Sequence, residues 1–162
     1  MGPLVNGPDA VLDAVAAHSR FHAGPAGPAY NEAAFKHFLA VDRSRARRAR
    51  RSLYLVLAFL RESRGRRAEL TDATASALFR GLGASVREVD FVGWYQEGRV
   101  AAAVLSQGAQ ATAGVSAVIA DRVLTALKKQ LSAAQSIDLR LRVVRLGRSV
   151  EIQSRSNHGA PR

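Results

Sequence analysis

Residues 91–105 read FVGWYQEGRVAAAVL, and this stretch decides the fold. Two apolar runs of strand length flank the polar tripeptide Gln96-Glu97-Gly98, whose glycine permits a positive φ angle. The spacing predicts a β-hairpin with strands at 91–95 and 99–105. A further apolar run, SLYLVLAFL at 52–60, contains β-branched and aromatic residues and predicts a strand buried on both faces.

Helical patterns surround these strands. Asn31 is a candidate N-cap for a helix within 30–50, and Thr71 or Asp72 for a helix after the basic loop at 61–70. Apolar residues at a 3.6-residue period predict a long helix at 112–131, and the alternating segment IDLRLRVVRL at 137–146 predicts a half-exposed strand. The order is an extra N-terminal helix followed by β-α-β-β-α-β. This order predicts an α/β (α+β) domain with a ferredoxin-like core.

Composition divides the chain into three parts. Glycine and proline recur through residues 1–28, which we expect to form a mobile N-terminal arm. The folded domain is expected at 29–149, and the polar residues 150–162 are expected to form a disordered tail. The sequence contains no cysteine, which excludes disulfides and thiolate metal sites. It also shows neither a signal peptide nor an apolar run long enough for a membrane span, so we expect a cytoplasmic protein.

The formal net charge of +11 is carried mainly by arginine. Six arginines lie between residues 43 and 51, at the end of the first predicted helix. A field of this sign favours an anionic partner, which includes nucleotides, nucleic acids, acidic proteins and anionic membranes. A nucleic-acid partner is not favoured, because the predicted sheet lacks the aromatic stacking motif of an RNA-recognition domain and the chain has no zinc-finger pattern.

The residues Arg87-Glu88-Val89-Asp90 form an R-x-x-D motif, and five residues separate it from Gln96-Glu97-Gly98-Arg99-Val100 at the hairpin. In order and spacing, residues 30–146 resemble the bacterial GGDEF (diguanylate cyclase) family. That family has a leading helix with an Arg-rich end, a first strand, a helix, R-x-x-D and then the signature hairpin. The resemblance implies a nucleotide-cyclase-like fold and a role in cyclic di-GMP signalling.

The resemblance also implies that the chain is a degenerate GGDEF domain. The cyclases of the family hold divalent cations with carboxylates from the end of the first strand and from the acidic signature residue. The matching positions here are Phe59, Arg61 and Gly98, and none is a carboxylate. Gln96 and Glu97 stand where the family has glycines that admit the guanine nucleotide. We therefore expect a pseudo-enzyme without cyclase activity, without a metal site and without a cofactor.

The R-x-x-D motif has a separate meaning in this family, where it binds the product cyclic di-GMP as an inhibitory site. In the resemblance, Arg87 would hold a guanine edge or a phosphate, and Asp90 would accept hydrogen bonds from guanine N–H groups. The family often adds an arginine on the helix after the hairpin, and Ala120-Asp121-Arg122 matches that context. The resemblance thus implies a non-catalytic cyclic di-GMP receptor whose site is Arg87, Asp90 and Arg122.

Two other interpretations stay open. If Arg87 and Asp90 form only a local surface ion pair, the chain is a ligand-free scaffold for homodimerisation or for a protein partner. Its interface is then expected on the first helix, where Phe35, Phe38 and Asp42 share a short stripe. The third interpretation is nucleic-acid binding through the Arg-rich end of that helix.

Overall fold

The computed structural model describes residues 20–24, 27–87, 90–108 and 113–146 of the chain. The expected tail at 150–162 and most of the expected arm at 1–28 lie outside the described residues. Six strands and four helices are described, in the following order: β1 Arg20–Gly24, β2 Gly27–Tyr30, α1 Glu32–Arg48, β3 Ser52–Leu60, α2 Asp72–Ser85, β4 Phe91–Gln96, β5 Val100–Gln107, α3 Val115–Gln130, α4 Ala133–Asp138 and β6 Leu139–Leu146.

The strands form one sheet in the order β1-β2-β4-β5-β3-β6. The last four strands of this order are antiparallel to their neighbours and, with α2 and α3, make the predicted β-α-β-β-α-β unit. The helix α1 precedes this unit, as expected. The fold class predicted from the sequence, an α/β domain with a ferredoxin-like, nucleotide-cyclase-like core, is confirmed.

Strand β3 lies in the middle of the core, between β5 and β6. Its alternate residues enter two apolar clusters on opposite faces of the sheet: Tyr54 and Val56 on the face of α2 and α3, Leu53 and Leu55 on the face of α1. Both faces are therefore covered, which explains why β3 has a continuous apolar sequence rather than an alternating one. On the α2 side, Trp94 is buried against Phe79 with ring centroids 4.9 Å apart.

The strand β1 and the first half of β2 lie within residues 1–28, which we expected to form an arm. They form an antiparallel pair, and β2 adds to the edge of β4 in parallel through Tyr30 and Gly93. A Cβ atom at Gly93 would lie 2.6 Å from the Tyr30 carbonyl oxygen and 2.8 Å from the Phe35 ring. Glycine is thus the residue that lets β2 and α1 approach β4. Gly-Pro composition conceals such strands because proline is tolerated at sheet edges.

The helix starts agree with the capping predictions, and one strand boundary does not. The side chains of Asn31 and Thr71 accept from the backbone N–H groups of Ala34 and Thr74, as N-caps do. The strand predicted from residue 137 begins instead at Leu139, because Ser132 and Gln135 form a capping box that starts the short helix α4. Ile137 therefore lies in α4 and is 75% exposed.

Candidate functional site

Arg87 and Asp90, the first and last residues of the R-x-x-D motif, lie between α2 and β4 and are joined by hydrogen bonds, and we call this connection the R-x-x-D turn. The backbone N–H of Arg87 donates to Asp90 Oδ2 at 2.9 Å, and the Asp90 N–H donates to the Arg87 carbonyl at 3.0 Å. The other carboxylate oxygen, Asp90 Oδ1, accepts from the Ser106 N–H at 3.1 Å. Asp90 thus closes the turn and also fastens it to the end of β5.

The carboxylate of Asp90 keeps part of its acceptor capacity. An ionised carboxylate offers about four lone-pair positions, and two of them are used by Arg87 and Ser106. The Arg87 side chain is exposed, and the ion pairs found between described residues do not join it to Asp90. The link between the two motif residues therefore runs through the backbone of Arg87, and the Arg87 side chain is exposed.

Arg122 lies on the exposed side of α3 and lines an open groove of about 480 Å³. The opposite wall is the C-terminal end of α2, at Ala84 and Ser85. Lys129 brings a second cation to the same groove. Cations are favoured there, since the C-terminus of a helix carries a partial negative charge.

The groove and the R-x-x-D turn adjoin along the chain, because Arg87 comes two residues after Ser85. The structure therefore brings Arg122 to the helix end from which the Arg87 turn continues. No hydrogen bond or ion pair between described residues joins Arg122 to Arg87 or Asp90. We use the name R-x-x-D corner for the region that consists of this turn, Ser106 and the groove.

Asp42 on α1, which the sequence placed on a possible interface stripe and not at this site, is an acidic neighbour of the corner. Burial raises the pKa of Asp42 above its usual range; Arg45, at 3.7 Å, acts in the opposite direction, and the Asp90 charge raises the pKa further. The carboxylates of Asp42 and Asp90 therefore repel one another beside the motif. The signal in the sequence was the position of Asp42 on an otherwise apolar helical stripe.

The hairpin turn stands at the opposite end of β4 and β5. Gly98 adopts the left-handed region at φ 70°, and the Arg99 N–H donates to the Gln96 carbonyl at 3.0 Å. The Glu97 N–H donates to Glu32 Oε2 at 2.8 Å, which ties the turn to the first residue of α1. The hydrogen bond from Lys36 is the largest cause of the lowered pKa of Glu32. The hydrogen bond from the Glu97 N–H lowers this pKa further, and burial acts in the opposite direction.

The loop between β3 and α2 also holds this turn. The Leu70 N–H donates to the Gly98 carbonyl at 2.7 Å, and Arg67 Nη1 donates to Gln96 Oε1 at 3.2 Å. Arg99 Nη1 in turn donates to the Arg67 carbonyl at 3.0 Å. The hairpin turn at the signature position is thus hydrogen-bonded to α1 on one side and to the loop between β3 and α2 on the other.

The first-strand positions of the resemblance lie near the same turn. The Phe59 ring packs under the Arg67 guanidinium, which is 5.2 Å from the ring centroid. Arg61 pairs with Arg67 across an isolated bridge, and its N–H donates to the Asp138 carbonyl at 3.0 Å. Within the described ranges, no three His, Asp or Glu side chains come together in the way that a metal ion requires.

Comparison with known proteins gives one kind of match. No protein-family model and no curated protein matches the sequence. Solved structures do match the fold of the chain.

One is a DGC protein from Thermotoga maritima, with a TM-score of 0.54 and 15% identity over 75% of this chain and 83% of that one. Another is the GGDEF domain of DgcB from Caulobacter crescentus in complex with c-di-GMP, with a TM-score of 0.52 and 13% identity over 78% of each chain. A third is the diguanylate cyclase SiaD from Pseudomonas aeruginosa in complex with its activator SiaC, with a TM-score of 0.54 and 14% identity over 85% of this chain and 54% of that one.

The chain has the fold of GGDEF diguanylate cyclase domains. The resemblance noted from the R-x-x-D motif and the hairpin is therefore confirmed as a likeness of fold. In the described part of the chain, no helix is long and apolar enough to cross a membrane.

Proposed function

We propose that this GGDEF-like domain is a non-catalytic receptor for cyclic di-GMP, with Arg87, Asp90 and Arg122 as the ligand site. The observation that carries the proposal is the R-x-x-D corner. There the hydrogen bonds of Asp90 hold the backbone of Arg87, whose side chain is exposed, next to a groove that a second arginine lines. A fold neighbour, the GGDEF domain of DgcB, is in complex with c-di-GMP, which supports the choice of ligand.

The chemistry of the corner suits a cyclic dinucleotide. The ligand carries two phosphates and two guanines, and guanidinium groups bond to both phosphate oxygens and the guanine edge through paired N–H donors. Arg87 and Arg122 would supply these donors. Asp90 would read guanine N–H groups with its remaining lone pairs while its other bonds keep the turn in place.

The absence of catalysis is part of the same proposal. Divalent cations in nucleotide cyclases need oxygen ligands, and the side chains at the matching positions are Phe59, Arg61 and Gly98. Arg67 packs on Phe59 and bonds to the hairpin at Gln96, so cationic and apolar groups stand where carboxylates would be required. We expect that the protein with GTP and Mg²⁺ or Mn²⁺ forms no cyclic di-GMP.

The test is isothermal titration of the purified protein with cyclic di-GMP, with GTP as a second ligand. We expect the parent to bind the dinucleotide and Arg87→Ala to bind at least about 10-fold more weakly, as for loss of a charged hydrogen bond. Arg64→Ala is the matched control, because Arg64 is an exposed arginine in the loop after β3, at the other end of the sheet. Circular dichroism of each variant checks that the fold is retained.

A second pair of variants tests the groove. Arg122→Ala should weaken binding by a similar factor, whereas Lys128→Ala, on the same helix but outside the groove, should not. If a folded parent protein shows no heat of binding at physiological salt, the receptor proposal fails. A loss that is equal for Arg87→Ala and Arg64→Ala would mean that only the net charge matters.

The ligand-free scaffold is the alternative that such a failure would leave. Phe35, one of the two aromatic residues of its expected interface on α1, is buried in the interior. It is 0% exposed and packs on Phe91 with ring centroids 5.4 Å apart. Phe38 is half-buried between Tyr30 and Phe91. The apolar stripe of α1 thus serves mainly to dock this helix on its own sheet.

A further inference from the structure

The receptor proposal does not use the strongest charged feature of the molecule. Six exposed arginines follow one another through the last two turns of α1 and the link to β3, and we call them the arginine patch: Arg43, Arg45, Arg47, Arg48, Arg50 and Arg51. Within the described residues, the patch has a single ion pair, between Arg45 and Asp42.

Helix electrostatics explain only part of this patch. Cations in the last turn of α1 oppose the partial negative charge of the helix end, and Arg45, Arg47 and Arg48 occupy that turn. The effect fades within one turn and needs one or two cations. Arg50 and Arg51 lie beyond the helix and gain little from it. Like charges this close repel one another, so the patch lowers the stability of the folded chain unless an anion binds.

The backbone at Arg50 gives a second indication. After α1, the Arg51 N–H donates to the Ala46 carbonyl at 2.9 Å and the Arg50 N–H to the Arg47 carbonyl at 3.4 Å, which is the Schellman pattern of a helix end. In that pattern the left-handed position belongs most often to glycine, yet here it is Arg50, at φ 53°. Among the described residues, Arg50 alone is a non-glycine with positive φ. An unfavourable backbone at a charged, exposed side chain points to a use of that side chain outside the fold.

We propose that the arginine patch binds the phosphate backbone of a duplex nucleic acid, independently of base sequence. Guanidinium groups form paired hydrogen bonds with phosphate oxygens, and the patch contains arginine but no lysine. The lack of an aromatic stacking motif argues against recognition of single strands and bases, but backbone binding requires no such motif.

The surroundings of the patch favour this partner over a membrane. Membrane-binding surfaces insert apolar side chains beside their basic residues. In the described part of the chain, the exposed large hydrophobic residues are Val118 and Ile137, on α3 and α4, and the patch has none. Six exposed arginines within nine residues suit the dense charge of duplex DNA, which carries about one phosphate charge every 1.7 Å of helix axis.

The test is fluorescence anisotropy of a labelled short duplex with the whole protein, over a series of salt concentrations. Arg47→Gln/Arg50→Gln removes two charges from the patch. Arg64→Gln/Arg66→Gln removes two exposed arginines from the loop after β3, about 30 Å away along the strand. We expect the patch variant to bind at least about 10-fold more weakly, with a log–log salt slope smaller by about 2, while the control variant stays close to the parent.

Arg50→Gly separates binding from folding. Glycine accepts the left-handed backbone, so this variant should unfold at a temperature roughly 2–4 °C higher while it binds the duplex more weakly. Equal losses in the patch and control variants would overturn the proposal, as would a folded parent that shows no duplex binding at low salt. Stronger binding to a single strand of the same length, or patch-dependent binding to phosphatidylglycerol vesicles at equal phosphate, would reassign the patch.

Discussion

The two ends of the β4–β5 strand pair differ in hydrogen bonding to the rest of the chain and in exposure. At the hairpin end, the Glu97 N–H and the Gly98 carbonyl bond to Glu32 and Leu70. At the R-x-x-D corner, Asp90 also makes intramolecular bonds, but the Arg87 side chain and the groove beside it stay exposed. An external ligand at the hairpin end must displace bonds that already exist. At the other end it meets donors that are free to form new ones, which is why we place the ligand there.

Helix α1 reaches both ends and carries one carboxylate to each. Glu32 lies beside Lys36, with an ion pair of 2.6 Å, and also accepts from the hairpin turn. Ten residues later, about 15 Å along the helix, Asp42 faces the charge of Asp90. At the closed end Glu32 is paired with an unlike charge. At the open end Asp42 is partly buried, attracted by Arg45 and repelled by Asp90. Three predictions test how α1 and the two ends are held.

The largest effect is expected at Gly93, where β2, α1 and β4 meet. Gly93→Ala should lower the free energy of unfolding by about 2–3 kcal/mol, because the new methyl group collides with the Tyr30 carbonyl and the Phe35 ring. Urea denaturation measures the change. Gly108→Ala is the control, since a Cβ atom there has nothing within 4 Å. A neutral Gly93→Ala would contradict the close packing of β2 and α1 against β4 at this position.

A smaller loss is expected at the R-x-x-D corner. Asp90→Ala removes the acceptor of the Arg87 and Ser106 N–H groups and should cost about 1–2 kcal/mol. Asp90→Asn keeps one acceptor oxygen and should lie between this variant and the parent. Glu62→Ala, which removes an exposed carboxylate from the loop after β3, is the control in the same denaturation series. If Asp90→Ala is as stable as Glu62→Ala, the turn is not held by this carboxylate.

The sequence predicted the elements whose signals are local. The apolar run of β3, the 3.6-residue periods of α2 and α3 and the caps at Asn31 and Thr71 all depend on neighbours within a few positions. The strands β1 and β2 were not predicted, because they depend on the close approach that Gly93 allows to a distant part of the chain. The extra turn of α4 was concealed by an alternation that continues through Ile137.

The same contrast between local signals and contacts of distant residues applies to the candidate site. The resemblance to the GGDEF family implied Arg87, Asp90 and Arg122 as candidates, and the structure brings Arg122 to the helix end next to the motif. The pattern could not show that Asp90 is bonded to Ser106, sixteen positions away, or that Glu32 bonds the turn at Glu97, sixty-five positions away. Such bonds are set by packing of separate elements, so their residues look like ordinary surface carboxylates in the sequence.

The smallest effects are those of pH, and they should have opposite signs at the two ends. The pKa of Glu32 is lowered in the folded chain, so its contribution to stability is present above its ordinary value of about 4.5 and is lost as the pH falls through the folded-state pKa. The pKa of Asp42 is raised. Its favourable contribution is therefore present below its ordinary value of about 3.8 and is lost as the pH rises through the folded-state pKa.

Glu32→Gln should accordingly be less stable than the parent at neutral pH, and Asp42→Asn should be more stable. Both differences should stay below about 1 kcal/mol, as for exposed charge pairs, and should shrink at acidic pH, as each parent carboxylate becomes protonated. Urea midpoints at neutral and acidic pH measure them. Two variants that change stability in the same direction at neutral pH would contradict the contrast between the ends, because α1 would then meet the same charge environment at Glu32 and at Asp42.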